Sequence, residues 1–195
     1  MIKITSPGLK YMGALLNVGS SYNFDVRTET SMVSTGLAVF IPGGTAKPPR
    51  IFPLAQSNVQ LLTPNNTSEN VLWSYVIPGG TLGPSGTLRI TSIWSCTSNA
   101  NNKTVYTKFG GSLLGSNNFT TAQSYKEERS VSNRNNQAAQ LAFIGASGGY
   151  GITSSAVSNL SIDTTLDQTI SLSATKANGP DVLALESVIV EVLEA

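Results

Sequence analysis

From residue 58 onward, short runs of alternating apolar and polar residues recur every 8 to 15 positions, each closed by a cluster of Gly, Asn, Pro or Ser. The runs are "VQLLT", "VLWSYVI", "LRITSIWSCT", "TVYTKF", "NFTTAQSYKEERSVS", "AQLAFIGA", "GITSSAV", "TISLSAT" and "VLALESVIVEVL". A period of two places successive side chains on opposite faces of a strand, so one face packs inward and the other meets water. No segment of 10 to 15 residues with helical spacing separates the runs, which excludes a parallel α/β sheet. The pattern therefore predicts an all-β domain over 58–195, an antiparallel β-sandwich of jelly-roll type.

The last run departs from simple alternation. In "VLALESVIVEVL", Val188, Val190 and Val192 share one face, and Leu183, Leu185, Ile189 and Leu193 fall on the other. Apolar residues on both faces predict cover on both sides. Either a partner chain in a trimer or other ring supplies the second cover, with Val188, Val190 and Val192 at the subunit interface, or residues 58–77 of the same chain fold over it.

Upstream the texture changes. Residues 1–41 carry short strand-like pieces ("YMGALL", "SYNFDV", "LAVFI") around one helical signal, "TETSMVSTG", with Thr28 as N-cap and Gly36 beyond the C-terminus. Residues 42–57, "PGGTAKPPRIFPLAQS", hold four prolines and read as an extended linker that is neither helix nor central strand. The organisation expected is a small β-rich attachment module (1–41), a linker (42–57) and the sandwich (58–195). Ile2, Ile4, Pro7, Pro48, Pro49 and Phe52 are the attachment residues this division suggests, through extended contacts and strand addition.

Composition narrows the chemistry. Charged residues make up 12% of the 195-residue chain, against about 25% in ordinary soluble domains. The net charge is +1, and the twelve Lys and Arg are scattered, so no basic stripe marks a nucleic-acid surface. Histidine is absent, which closes every imidazole mechanism. Cys96 is the sole cysteine and, beside Trp94 in the period-two reading, is expected to be a small buried residue. The N-terminal "MIKITSPG" has no apolar run of the kind a secretion signal needs, and no stretch approaches the ~20 apolar residues of a membrane helix.

The remaining candidates for chemistry are carboxylates. Glu127 and Glu128 point to opposite faces of one strand and, between Lys126 and Arg129, read as solvated charge. Asp163 and Asp167 in "IDTTLDQT" could ligate Ca²⁺ through oxygen, though Asx-turn capping explains both without a metal. The glycine-bearing stretches lack the Lys-Ser/Thr and following helix of a phosphate cradle. No catalytic constellation, cofactor or metal is expected. Tyr150, in "SGGYGI", is the aromatic best placed for an outward contact with a glycan or a protein. The Asn-rich tip "TSNANNKT" between two good strands suggests a hydrated, uncharged outward or inter-subunit surface.

The run "VIPGGTLGPSGTLRITSIWSCTSNANNKTVYTKFGGSLL", with "VSNRNNQAAQ", "IDTTLDQTISLSATKAN" and "ALESVIVEVL" after it, resembles a module of tailed-bacteriophage virion proteins over about residues 70–195. The shared marks are a Gly-bearing loop before an "LRIT" strand, an "NSANNKT"-type turn and a following strand that ends in "FGG". The resemblance implies a jelly-roll-like virion protein, commonly trimeric and without catalysis. It would serve as a capsid decoration or cement protein bound to the major capsid protein, or alternatively as a receptor-binding module of a tail or head fibre.

Overall fold

In the computed structural model the chain divides into two units, residues 1–48 and 49–195. The structure describes the strands of the first unit together with residues 50–143 and 157–194. The first unit contains β1 (Ile2–Ile4), β2 (Lys10–Tyr11), β3 (Ala14–Leu15), β4 (Ser21–Tyr22) and β5 (Ala38–Phe40). β1 pairs antiparallel with both β4 and β5, and β2 pairs with β3. Each apolar piece of residues 1–41 thus supplies strand, and Ile2 and Ile4 lie in β1. The helical signal at 28–36, and Pro7, Pro48, Pro49 and Tyr150, lie outside the described residues.

The second unit is built from β6 (Arg50–Ser57), β7 (Leu61–Leu62), β8 (Asn70–Ile77), β9 (Thr87–Cys96), β10 (Lys103–Phe109), β11 (Ser112–Phe119), β12 (Ser124–Asn133), β13 (Gln140–Ala142), β14 (Ser158–Leu160), β15 (Gln168–Lys176) and β16 (Leu183–Glu194). All pairings are antiparallel. One sheet runs β14-β13-β12-β9-β16-β6, with β7 also on β16; the other runs β11-β10-β15-β8. Counting only the eight long strands in chain order, the first sheet contains first–eighth–third–sixth and the second contains second–seventh–fourth–fifth. That interleaving is the jelly roll, two Greek keys folded face to face. The expected fold class is confirmed.

The core lies between the sheets. From the first sheet come Leu88, Ile90, Trp94, Val131, Leu183, Leu185, Val188, Val190 and Val192; from the second come Ile77, Val105, Phe109, Ile170 and Leu172, all at most 2% exposed. Alternation along β9 and β10 turns Leu88, Ile90, Trp94, Val105 and Phe109 inward together with the polar Ser92, Lys103 and Thr107. Each such apolar side chain contributes about 1.5–3 kcal/mol by leaving water.

Four expectations are corrected. Residues 50–57 are not linker: they form β6, an edge strand laid on β16 from Val188↔Ser57 to Glu194↔Arg50. Pro53 lies beside the irregularity where the β6–β16 register shifts, a place in a sheet that tolerates proline, and Phe52 packs against the core. The apparent placing of Leu183 and Leu185 opposite the valines of β16 is undone by a β-bulge, while Ile189 and Leu193 stay half-buried on the other face. Leu185 pairs with Trp94 and Ser187 with Ile93, leaving Glu186 as an extra residue. Parity flips there, so Leu183, Leu185, Val188, Val190 and Val192 all face the core. The three valines are therefore interior residues and not a subunit interface.

The segment read as one strand, "NFTTAQSYKEERSVS", is the end of β11, a turn and β12. β11 was hidden by its Gly and Asn content. The Gly110–Gly111 pair, with φ of 54° and 77°, makes the two-residue turn from β10 into β11. Finally, Glu127 is 1% exposed and not solvated, because it occupies the inward parity of β12.

Candidate functional site

Polar residues punctuate the core at three levels, each assembled from strands of both sheets or from the loops that join them. At mid-sandwich, β12 projects Tyr125, Glu127 and Arg129 inward. Arg129 Nε donates to Glu127 Oε1 at 2.7 Å with both side chains essentially inaccessible. From the opposing sheet, Thr107 Oγ1 donates to Oε1 at 2.8 Å and Asn117 Nδ2 to Oε2 at 3.2 Å. A buried charge is tolerable only when paired and hydrogen-bonded in this way. Room for the guanidinium comes from Gly115 on β11, where a Cβ would lie 2.2 Å from Arg129 Cζ. Tyr125 stacks on Phe119 at 5.4 Å, and burial, with the neighbouring Glu127 carboxylate, pushes its hydroxyl up to about 12.

At the end of the sandwich where β6 begins, Asn133 and Gln140 tie three loops. Asn133 Nδ2 donates to Gly83 O and Thr164 Oγ1; Gln140 Nε2 donates to Asn133 Oδ1 and Ile162 O, and Gln140 Oδ-equivalent Oε1 accepts from Ile162 N. Asp163 Oδ1 accepts the backbone N–H and hydroxyl of Thr165, and Asp167 Oδ1 accepts the backbone N–H of Gly79. Both aspartates are engaged in turns. The Thr165 hydroxyl and then its N–H hold Asp163 below the usual carboxylate range. Among the described residues no three acidic or thiol groups converge to hold a metal ion.

At the opposite end sits the Asn-rich tip. Lys103, the first residue of β10, shares the inward parity of Val105 and Phe109 and is fully buried. Its Nζ donates to Asn99 Oδ1 at 2.7 Å, Asn101 O at 2.9 Å and Thr120 O at 3.3 Å, and lies 3.7 Å from Asp181 Oδ2. Asp181 accepts from Asn99 Nδ2 (3.0 Å), Asn101 Nδ2 (3.1 Å) and Asn178 Nδ2 (2.9 Å). Burial works against its charge, but the amides of Asn178, Asn101 and Asn99, aided by Lys103, hold its carboxyl below the ordinary range. Lys176, opposite Lys103 in the β10–β15 ladder, donates to Gly179 O and Asp181 O, both at 2.7 Å. Burial pulls the Lys176 ammonium pKa down, against the pull of Asp181.

The amides of Asn99 and Asn101 are thus turned inward onto a buried Lys–Asp pair, which corrects the reading of the tip as a wholly hydrated outward surface. Ser98, Ala100 and Asn102 are its exposed residues. One signal in the sequence pointed to this cluster: Lys103 occupies an inward position of an otherwise apolar-inward strand. Cys96 is half-buried, its Sγ donating to Ala122 O at 3.0 Å, and burial pushes its thiol up.

On the outer faces, Arg89 makes a two-pronged bond to Glu191 Oε2, at 2.9 and 2.7 Å, across β9 and β16. Glu69 accepts from Lys108 and Ser173, in that order of effect, which lowers its pKa. Glu186, the bulge residue, accepts from Ser95 and from Gln60, which likewise lowers its own.

No protein-family model matches the chain, and no curated protein does. Among solved structures, it is similar to the CBM36-1 domain of a multidomain xylanase from the hindgut metagenome of Trinervitermes trinervoides. That match has 16% identity over 75% of this chain and 97% of that one, with a TM-score of 0.36. It is also similar to dimeric latent PorU from Porphyromonas gingivalis at 10% identity, covering 80% of this chain and 14% of that one, with a TM-score of 0.39. A chain of infectious bursal disease virus, Gx strain, matches at 13% identity over 80% of this chain and 40% of that one, with a TM-score of 0.28. Likenesses this distant bear on no question of function.

Proposed function

We propose that this chain is a bacteriophage virion structural protein that decorates the outer shell as a trimer and works by binding, not by turnover. The observation that carries the reading is the use made of the carboxylates. Glu69, Glu127, Asp163, Asp167, Asp181, Glu186 and Glu191 are each bonded to a side chain or backbone group of the fold itself. Acid–base catalysis needs a carboxyl poised toward a substrate, whereas here these groups serve as pegs.

Two further features support the reading. The resemblance to tailed-phage virion modules spans most of the jelly roll, and a separate strand-built unit of residues 1–48 stands ahead of it. In this account the first unit, with Ile2, Ile4, Pro7 and Pro48, and Pro49 next to it, grips the major capsid protein, and three copies add avidity.

The test is reconstitution on shells that lack the protein. The full chain is expected to co-sediment with shells and raise the temperature at which they burst. Residues 49–195, to which all the described core side chains belong, are expected to stay folded and remain in the supernatant. Full-length chain that leaves shells untouched yet is needed for adsorption to host cells would replace decoration with a receptor-binding role.

A further inference from the structure

We propose that Lys103 and Asn99 join in an intramolecular isopeptide bond, with Asp181 carrying the proton between amine and leaving group. The inference concerns the cluster at the Asn-rich tip and does not depend on the role proposed above. Four parts of an acyl-transfer reaction meet there. The nucleophile is Lys103 Nζ, fully buried and 2.7 Å from Asn99 Oδ1, in contact with the carboxamide it would attack. The electrophile is polarised, since Asn99 Oδ1 also accepts the backbone N–H of Asn101 at 3.0 Å. A donor fixed at that oxygen stabilises the negative charge that develops when the carbonyl becomes tetrahedral.

The third part is the proton carrier. Asp181 Oδ1 accepts from the Asn99 amide nitrogen Nδ2 at 3.0 Å, and Oδ2 of the same carboxylate stands 3.7 Å from Lys103 Nζ. One group thus reaches both the nitrogen that must lose protons and the nitrogen that must leave. The fourth is enclosure. Lys103 is wholly excluded from water, so no solvent stands between its nitrogen and the Asn99 carboxamide.

The step balances without any co-reactant. The Lys103 ammonium gives a proton to the Asp181 carboxylate, and the free amine attacks Cγ of Asn99 to form the new C–N bond. The C–Nδ2 bond then breaks, and that nitrogen leaves as ammonia after taking one proton from Asp181, while the attacking nitrogen sheds its surplus proton. Ammonia and one proton depart together as ammonium, leaving a secondary amide and an ionised Asp181 still held by Asn101 and Asn178. Holding the reactants in contact inside a closed core substitutes for the high concentration that amide exchange needs in solution.

The test is the mass of the purified full chain after denaturation. The expected result is a mass one ammonia below that of the sequence. Tryptic digestion should give no cleavage after Lys103, with the loss mapped to the peptide that spans Asn99 and Lys103. The full sequence mass together with normal cleavage after Lys103 overturns the proposal and leaves a plain buried ammonium. A loss mapped to Asn178–Gly179 overturns it too, because ring closure at an Asn-Gly pair sheds the same mass. Lys103→Arg keeps the charge and removes the nucleophile, so it should restore the full mass. Asp181→Asn, confirmed as folded by circular dichroism, should do the same; ammonia loss that persists in either variant contradicts the assigned roles.

Discussion

Gly115 shows how a single position sets the interior. On β11 it faces the core where any side chain would meet the Arg129 guanidinium, with Cζ, Nε and Nη2 all within 2.6 Å of a built Cβ. A long side chain usually swings aside, but this one is fully buried and anchored to Glu127. We predict that Gly115→Ala costs about 3 kcal/mol, by overpacking and by disturbing a buried ion pair. A urea unfolding series would measure it; a change below about 0.5 kcal/mol would mean that Arg129 has other space to occupy. At this scale the sequence was least legible. In β10 and β12 the period of two puts Lys103, Glu127 and Arg129 on the faces of their apolar neighbours, yet Glu127 reads as solvated charge because the rule that charges sit outside prevails unless the partners are known. Those partners, Thr107, Asn117, Asp181 and the tip amides, come from other strands and loops, at separations that local pattern does not encode.

Among the elements, β16 carries the sharpest lesson. Its existence was plain from eight apolar residues among twelve, as were β9 and β10 from their alternation. The bulge at Glu186 was not, because an inserted residue leaves no mark on composition and only reverses which side chains share a face. The same limit hid β6, whose Pro53 argues against strand until the register shift beside it is known. Removing Glu186 leaves Leu183, Leu185 and Val188 in plain alternation on the core face, so the deletion should cost only about 1–3 kcal/mol, the worth of its bonds to Ser95 and Gln60. Glu186→Gln keeps the bulge and should cost no more than that. Denaturation midpoints for the pair measure both, and a loss above about 4 kcal/mol on deletion alone would show that the extra residue itself holds the strand in place.

For the molecule as a whole, the set of depressed carboxyls predicts its response to acid. Glu69 and Glu186 lie below an ordinary 4.5, and Asp163 and Asp181 below 3.8, in the folded state. A group lowered on folding adds stability that is complete above its unfolded value and lost as pH falls through that value toward the folded one. With no histidine in the chain, none of the usual titrations between pH 5 and 8 involves a side-chain imidazole. The melting temperature should therefore stay level from pH 8 to about 5 and fall below about 4.5. A decline that begins near pH 6.5 would point to a different titrating group. The jelly roll itself was legible at this scale: regular short strands with Gly, Asn and Pro breaks are what two folded-over Greek keys require, although strand order emerges only from the ladders.

Because β6 and β16 run antiparallel with Arg50 beside Glu194, the polypeptide comes into the jelly roll and goes out of it at one pole. The Asn-rich tip belongs to the other pole, a ten-residue strand away, or roughly 30 Å at strand rise. A cargo fused downstream of Glu194 would emerge at the pole where residue 50 sits. One inserted at Ser98 or Ala100 would project from the far side.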